Sequence, residues 1–402
     1  MRILFVHDNY PAQFGQFGRW LKAAHGWDVA FATAREGVTE AVAGAPVYPY
    51  AVHREPTEGV HPYARVFEGA AIKGQAAARA FLAARGAGFS PEIVMAHAGW
   101  GPGIFAREVW PDARYVPYFE WYYRTPAPDM AHLGAPPPEV HQQLYQHSRN
   151  APIWAEFAVA DLGLVPTAFQ AAQFPELFRD RLAVIHDGID TEFHRPDPGA
   201  RADVAGLSLP PDAEIVTYLT RGMEPHRGFP QFLEAIARLQ PERPRLHAVI
   251  GGEDRIAYGD RRAGSWKEKM LAELPLDRDR LHFTGPLPRA DYLRLLQASH
   301  VHFYFTTEFV LSWSMLEAMA AGALIVASDT TPVREFMVDG ETGLLTDFHD
   351  VPAAAARIAE ALDGQARLAP LRSAARAHVV KTLSAATLWE RKRELLEDLL
   401  LA

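Results

Sequence analysis

The chain has 402 residues, of which 49% are hydrophobic and 22% charged, and its formal net charge is −9. This length predicts two domains of about 200 residues each, and the composition is typical of a soluble globular protein. No basic run is long enough to follow a nucleic-acid backbone, so no nucleic-acid partner is expected. The absence of cysteine excludes disulfides, thiolate zinc sites and a cysteine nucleophile.

The first residues of the sequence, "RILFVHD", have the pattern of a β-strand. No apolar segment with a small-residue cleavage site precedes it, and no run of about 18 apolar residues follows elsewhere. The chain is therefore expected to be cytoplasmic.

Strand and helix patterns then alternate along the chain. In the first half the β-rich runs are "WDVAFAT", "PEIVMAHAG", "ARYVPYF" and "LAVIHDG", with a long helix predicted at Tyr63–Arg85. In the second half they are "EIVTYLT", "RLHAVIGG", "RLHFTG", "HVHFYFTT" and "ALIVASD". This alternation predicts an α/β fold with two Rossmann-like, doubly wound domains that face each other across a cleft.

A segment rich in proline, glycine and aspartate, residues 186–213, is predicted to link the domains. The predicted domains are 1–190 and 200–383. The last helix, at 384–402, is compatible with packing on either of them.

Two arginines follow a strand of the second half. Arg221 and Arg227 are predicted in a loop between a strand that ends at Thr220 and a helix that begins near Phe229. Such a pair beside a helix N-terminus suits a diphosphate, although solvated loop arginines fit the pattern equally well.

The stretch "TTEFVLSWSMLEAMAAG", residues 306–322, combines a strand end with a helix start. Ser314 with Glu317 three residues on predicts a capping box, which gives Glu317 a structural explanation. The backbone amides of Leu311 to Ser314 also suit a phosphate. Both interpretations remain open.

Three candidates lie in the first half. Gly15 and Gly18 suit the close approach of a ligand, or a plain turn. His97 ends a strand, where it is a candidate hydrogen-bond donor to a ligand or a structural histidine. The aromatic stretch "YFEWYYRTP" around Glu120 is compatible with an acceptor platform or with a core.

Two further patterns are weak. Gly101, Gly103 and Ala106, with Glu120 following, mimic a dinucleotide fingerprint, but the motif follows a late strand. The "DRD" at 277–279 lies in a charged loop, and no metal site is predicted.

The chain resembles the retaining glycosyltransferases of family four, which have the GT-B fold. The resemblance covers nearly the full length and rests on "TRGMEPHRGF", "HFTGPLPRADYLRLL", "VIHDGIDTEFHRP" and above all "FVLSWSMLEAMAAGALIVASDTTPVREFMVDGETGLL". It implies that the N-terminal domain lies on the acceptor side and that the C-terminal domain binds the nucleotide sugar.

The resemblance also implies roles for individual residues. The pair Arg221 and Arg227, usually arginine and lysine in this family, holds the donor diphosphate, and Glu317 binds the ribose. The implied catalytic residues are His97, Arg221 and Arg227, and the implied donor-binding residues are Gly15, Gly285, Leu287, Leu311, Ser312, Ser314 and Glu317. The aromatic stretch itself makes Glu120, Trp121 and Tyr122 the candidates on the acceptor side.

The chain departs from the family at one position. The first glutamate of the family's Glu-x7-Glu motif falls on Phe309, and Glu308 lies one residue early. On an extended segment a one-residue shift sends a side chain to the opposite face. Whether Glu308 replaces the missing glutamate is left open, whereas nucleotide binding is expected to be intact.

The implied activity is the metal-independent, retaining transfer of a hexose from a UDP- or GDP-linked donor, without a cofactor, in glycan, polysaccharide or glycoconjugate synthesis. The acceptor is a glycan, a lipid-linked molecule or a small molecule, and peripheral membrane contact is compatible with the sequence. The alternatives are a sugar-nucleotide epimerase of the same fold, an NAD-dependent oxidoreductase that uses the Gly101 motif, and a non-catalytic binding protein.

Overall fold

Two compact units make up the protein. The computed structural model describes residues 1–38, 40–259 and 261–402. Unit 1 comprises Met1–Ala127, Pro136–Asp187 and Leu388–Ala402, and unit 2 comprises Pro128–Ala135 and Gly188–Thr387. The end of the chain therefore returns to unit 1.

The described part of unit 1 contains a seven-stranded sheet in the order β3-β2-β1-β4-β5-β6-β7, and its pairs are parallel. The strands are β1 (Arg2–Val6), β2 (Asp28–Thr33), β3 (Val47–Pro49), β4 (Ile93–His97), β5 (Arg114–Tyr118), β6 (Gly163–Val165) and β7 (Leu182–Val184). The helices over this part of the chain are α1 (Phe14–His25), α2 (Pro62–Gly86), α3 (Ala106–Val109), α4 (Pro128–His132), α5 (Val140–Ser148), α6 (Ala151–Val159), α7 (Ala168–Ala171) and α8 (Glu176–Arg179), of which α4 belongs to unit 2.

In the described part of unit 2 the sheet has six parallel strands in the order β10-β9-β8-β11-β12-β13. They are β8 (Glu214–Gly222), β9 (Leu246–Glu253), β10 (Leu281–Gly285), β11 (Val301–Tyr304), β12 (Ile325–Ser328) and β13 (Leu344–Thr346). The remaining helices are α9 (Phe229–Leu239), α10 (Trp266–Glu273), α11 (Arg289–Ala298), α12 (Trp313–Ala320), α13 (Thr331–Arg334), α14 (Val351–Asp363), α15 (Ala369–Thr382) and α16 (Ala385–Leu401).

Both sheets have the strand order of a dinucleotide-binding fold. Counted within each unit, the first six strands lie in the order 3-2-1-4-5-6, so the order reverses between β1 and β4 and again between β8 and β11. The predicted α/β fold with two Rossmann-like sheets is confirmed. Ligands of such sheets bind outside the carboxyl ends of the strands at the point where the strand order reverses. We therefore expect the functional residues of each unit at this point.

Three strands were not predicted from the sequence, namely β3, β6 and β13. Each of them has three residues. Such strands are too short to show an alternating pattern, and they form because a neighbouring strand supplies hydrogen bonds. The proline-containing segments at 46–62 and 120–140 contain β3 and α4.

The predicted end of β8 at Thr220 is wrong, because the strand continues to Gly222 and includes Arg221. A register shift between Leu219 and Gly222 lets the pairing with β9 resume at Glu253. The turn that follows depends on Gly228, whose φ is +66° and whose added Cβ would lie 2.3 Å from the side chain of Phe305. Only glycine therefore allows α9 to begin at this point.

The C-terminal helix α16 is fixed in unit 1 by residues around Asp187. Trp389 donates its indole N–H to the carbonyl oxygen of Asp187 at 2.7 Å, and Tyr118 donates its hydroxyl to the carboxylate at 2.8 Å. Lys392 is 4% exposed, and its Nζ lies 3.6 Å from the same carboxylate.

Candidate functional site

Arg227 lies at the strand reversal of unit 2. It is 7% exposed, and it donates through one guanidinium nitrogen to the hydroxyl of Thr306 at 2.8 Å and to the carbonyl oxygen of Val310 at 2.9 Å. The guanidinium carbon lies 5.0 Å from the centre of the Tyr258 ring. These contacts fix a buried positive charge against the segment that leads into α12.

Arg221 is placed differently. It is exposed at the end of β8, and its backbone carbonyl accepts from the side chain of Arg255 at 3.5 Å. The same strand end leads to Arg227 within six residues. Arg221 is therefore an exposed cation six residues before a buried one in the chain, which is compatible with a role in holding an anion.

The capping box predicted from Ser314 and Glu317 is wrong. Ser312 is the N-cap of α12, because its backbone is extended and its hydroxyl accepts from the amide of Ser314 at 3.3 Å. The amide of Ser312 donates to the hydroxyl of Tyr304 at 2.9 Å. Two of the four amides predicted to meet a phosphate thus have partners, which leaves those of Leu311 and Trp313 as candidates at this helix start.

The Glu317 side chain contacts residues outside α12. Its Oε2 accepts from the hydroxyl of Tyr292 at 2.8 Å, and its Oε1 lies 3.6 Å from Nε2 of His194. The side chain remains 20% exposed. Glu317 is therefore an oriented carboxylate at the surface of unit 2, and its role toward a ribose stays a prediction.

Glu308 and Phe309 point to different neighbours. One carboxylate oxygen of Glu308 accepts from the amide of Thr331 at 3.0 Å and from its hydroxyl at 3.1 Å, which secures the start of α13. The ring of Phe309 lies 4.9 Å from that of Tyr258 and 6.0 Å from that of His226. Glu308 thus stabilises the start of α13. Phe309 and Tyr258 are the aromatic residues whose rings lie near the Arg227 guanidinium.

Two of the predicted donor-binding residues, Gly285 and Leu287, lie at the end of β10. Gly285 is the last residue of this strand and has a φ of +69°. Leu287 follows it and is half-buried, close to Gly251 of β9. Both therefore lie at the carboxyl edge of the sheet, two strands from the reversal.

In unit 1 the reversal is lined by histidines. His97 ends β4, its ring centre lies 4.6 Å from that of His7, and its Nε2 lies 3.4 Å from a carboxylate oxygen of Glu120. Burial, and then the neighbouring His97, lower the pKa of His7 to about 3, so this ring is neutral at neutral pH. Within the described chain, Nδ1 of His97 is buried and has no hydrogen-bond partner.

A second group of polar side chains, not predicted from the sequence, lies at the same edge. Asp8 follows β1, and its carboxylate accepts from Nζ of Lys73 at 2.5 Å and from the hydroxyl of Tyr50 at 2.7 Å. The dipeptide His7-Asp8 directly after the first strand was the available signal. Lys73 and Tyr50 gave none, because they reach the site from distant segments.

The carboxyl group of Glu156 holds the loop after His97 through a hydrogen bond with its backbone. It is fully buried on α6, and it accepts from the amide of Gly99 at 2.5 Å and from the hydroxyl of Tyr115 at 3.2 Å. Burial raises the pKa of Glu156 to about 7 from an ordinary value of 4.5. The folded protein therefore favours the neutral acid.

This shift predicts a pH-dependent stability. Because the pKa of Glu156 is higher in the folded than in the unfolded protein, its neutral form contributes to stability. This contribution is fully present below pH 4.5 and is lost as the pH rises through 7. The total loss of unfolding free energy is about 3 kcal/mol. We expect the difference in unfolding free energy between wild type and Glu156→Gln to fall by this amount from pH 4.5 to 8 in urea titrations. Buried histidines such as His7, whose pKa is lowered, contribute stability that increases with pH. Since these histidines are present in both proteins, the difference in unfolding free energy between wild type and variant isolates the effect of Glu156. Parallel stability curves would contradict the prediction.

The glycines of the first half have packing explanations. An added Cβ at Gly15, in the first turn of α1, would lie 2.6 Å from Pro11, and one at Gly18 would lie 3.0 Å from Phe31. The interpretation of Gly15 as a ligand-approach residue therefore stays a prediction beside a sufficient structural reason.

The Gly101 motif is also explained by packing. Added Cβ atoms would lie 2.2 Å from the carbonyl oxygen of Ala70 at Gly101 and 1.9 Å from the hydroxyl of Tyr115 at Gly103. The helix that follows, α3, has only four residues. Close contacts within unit 1 thus account for these glycines, and no long helix begins where a pyrophosphate would need one.

The aromatic stretch after β5 divides between surface and core. Tyr122 is 8% exposed and packs on Phe174 and Phe178 in a buried aromatic cluster, while Trp121 lies 6.1 Å from the ring of Phe169. A cavity of about 410 Å³ borders Tyr122 and is also lined by Arg124, Leu144, His147 and Asn150, among others. Glu120 is about half exposed beside His97.

The described part of the chain has neither a cluster of metal-ligating side chains nor a helix suited to a bilayer. No three histidine, aspartate or glutamate side chains converge there as metal ligands would. None of the described helices combines the length and apolar character needed to cross a bilayer.

Comparison with known families agrees with this geometry. The model described as "Glycosyl transferase family 4 group" matches residues 22–194, and the one described as "Glycosyl transferases group 1" matches residues 201–378. The chain belongs to glycosyltransferase family four.

Relatives of the chain include D-inositol 3-phosphate glycosyltransferases. The protein from Thermobispora bispora is 28% identical over 253 residues, which cover 60% of this chain and 57% of that protein. The protein from Streptomyces avermitilis is 29% identical over 209 residues, or 50% of this chain and 44% of that one. The chain thus matches about half the length of these relatives.

Solved structures show the same fold. Sucrose-phosphate synthase from Thermosynechococcus elongatus has a TM-score of 0.76 and 20% identity, and the alignment covers 99% of both chains. HepE from Anabaena, in complex with UDP-glucose, has a TM-score of 0.73 and 16% identity, over 99% of this chain and 100% of that one. The fold of this family-four chain is therefore GT-B.

Proposed function

We propose that the protein transfers a sugar from a nucleotide diphosphate sugar to an acceptor hydroxyl, with retention at the anomeric carbon. The observation that carries this proposal is Arg227, a buried guanidinium fixed at the strand reversal of unit 2 beside the start of α12. We expect unit 2 to bind the donor nucleotide and unit 1 to bind the acceptor.

The chemistry requires stabilisation of the leaving diphosphate. As the bond from the anomeric carbon to the phosphate oxygen breaks, negative charge grows on the diphosphate, and Arg221, Arg227 and the amides at the start of α12 stabilise it without a metal. The acceptor oxygen forms the new bond on the same face of the sugar, and its proton passes to the leaving phosphate. His97 orients the sugar rather than acting as a strong base.

UDP-linked hexoses are the first donors to test, because HepE, which shares the fold, binds UDP-glucose. GDP-linked hexoses are the second. Inositol phosphates are the first acceptors to test, because the relatives from Thermobispora and Streptomyces are named for that substrate. Glycans and lipid-linked acceptors follow.

The test is a transfer assay with each donor, preceded by a screen for thermal stabilisation by the free diphosphates. We expect Arg221→Ala to reduce kcat/KM about ten-fold or more, because it removes a charge-assisted contact with the diphosphate. An unchanged kcat/KM would refute the diphosphate assignment. Formation of an epimer from donor alone, with no product on any acceptor, would indicate an epimerase instead.

A further inference from the structure

The two oxygens of the Glu317 carboxylate have different neighbours. Oε2 accepts from the hydroxyl of Tyr292, on α11, at 2.8 Å. Oε1 lies 3.6 Å from Nε2 of His194, whose side chain is 2% exposed. The carboxylate is therefore held from the protein side, and its remaining exposure faces solvent.

His194 does not supply a proton to Oε1. Its Nδ1 lies 3.1 Å from the carbonyl oxygen of Asp190, and a carbonyl only accepts, so Nδ1 carries the ring proton. Burial lowers the pKa of His194, which keeps the ring neutral and leaves a lone pair on Nε2. Nε2 is buried and has no hydrogen-bond partner among the described residues. Oε1 thus keeps its capacity to accept from a hydroxyl outside the protein.

Tyr292 is a dependable donor to the other oxygen. Burial of the phenol, and then the charge of Glu317, raise the pKa of Tyr292 well above its ordinary value. The bond fixes a flexible side chain in one orientation before any ligand arrives. A ligand hydroxyl that donates to Oε1 therefore does not have to order the carboxylate first.

We propose that Tyr292 is a positioning residue that directs Oε1 of Glu317 at the ribose diol of the donor nucleotide. The inference rests on the proposed function and deepens it. It attributes the preference for ribose over deoxyribose to the Glu317 carboxylate, whose orientation is fixed by Tyr292. A hydrogen bond from a ribose hydroxyl to an anionic oxygen is strong enough to give about ten-fold or greater discrimination.

The experiment compares ribose and deoxyribose ligands by isothermal titration calorimetry. Kd is measured for UDP and GDP, and the tighter of the two is compared with its 2′-deoxy and 3′-deoxy forms. We expect wild type to bind at least one deoxy form about ten-fold more weakly. In Tyr292→Phe this ratio should shrink several-fold, chiefly through weaker binding of the ribose form. In a Glu317→Gln background, Tyr292→Phe should cause no further change in the ratio.

Tyr118→Phe is the matched control. It removes a tyrosine hydroxyl that donates to a buried carboxylate, Asp187, at the same 2.8 Å, but in unit 1. We expect it to lower thermal stability and to leave the ribose-to-deoxyribose ratio unchanged.

Two results would overturn the inference alone: a Tyr292→Phe variant with the wild-type ratio, or one that loses affinity for ribose and deoxyribose forms equally. The second result would indicate a merely structural tyrosine. If neither UDP nor GDP binds the wild-type protein, the proposed function itself fails, and the inference fails with it.

Discussion

Replacing Arg227 with alanine is expected to reduce kcat for sugar transfer by about 10²- to 10³-fold. The reason is that a fixed cation at the leaving diphosphate acts where charge grows in the transition state, and the loss of one such group has this typical cost. The guanidinium is already ordered by Thr306 and Val310, so the wild-type protein does not have to position it during the reaction. Steady-state kinetics with saturating donor and acceptor give the value.

The variant also removes buried hydrogen bonds, so its folding has to be checked by thermal unfolding. Arg227→Lys keeps the charge but loses the planar fork, and we expect it to recover part of the rate. Arg245→Ala is the matched control, because this exposed arginine pairs with Glu214 before β9, at the opposite edge of the sheet. A folded Arg227→Ala protein with the wild-type kcat would contradict the assignment.

Replacing Lys392 with alanine is expected to lower the free energy of unfolding by roughly 3–5 kcal/mol. The substitution leaves the Asp187 carboxylate, which is 7% exposed, without its buried cation. The same carboxylate is bound by Tyr118, and its backbone anchors Trp389 of α16. Urea titration at pH 7 measures the change.

Two further variants separate the charge from the packing. In Lys392→Met combined with Asp187→Asn the unpaired charge is gone, so most of the lost stability should return. Lys381→Ala removes an exposed lysine, and its effect should stay within about 0.5 kcal/mol. Equal stability of Lys392→Ala and Lys381→Ala would refute a structural role for the buried pair.

The sequence predicted the fold because its signals are local. Alternating strands and amphipathic helices can be recognised from a few neighbouring residues, and the predicted helix at Tyr63–Arg85 differs from α2 by one residue at each end. The three-residue strands β3, β6 and β13 were missed because they depend on hydrogen bonds from neighbouring strands.

The candidate site was only partly accessible to the same reasoning. The arginine pair and the stretch "FVLSWSMLEAMAAG" could be named as candidates, because they resemble segments of the family, and their roles stay predictions. The capping assignment failed because Ser312 and Ser314 both fit a cap by residue type, and only the extended backbone at Ser312 distinguishes them. For Glu308 the structure adds its contacts with Thr331, and whether it replaces the missing glutamate stays open.

By itself, then, the sequence determined the α/β class, the two Rossmann-like sheets and the family, and it supplied the candidate residues of the proposed donor site. Only the tertiary structure decided which charges are buried and what each one touches. Tyr292 and Glu317 lie 25 residues apart, Asp8 and Lys73 lie 65 apart, and Asp187 and Lys392 are separated by most of the second unit. Contacts at such separations carry no periodic signal along the chain, because they arise where the packing of whole helices and strands brings side chains together.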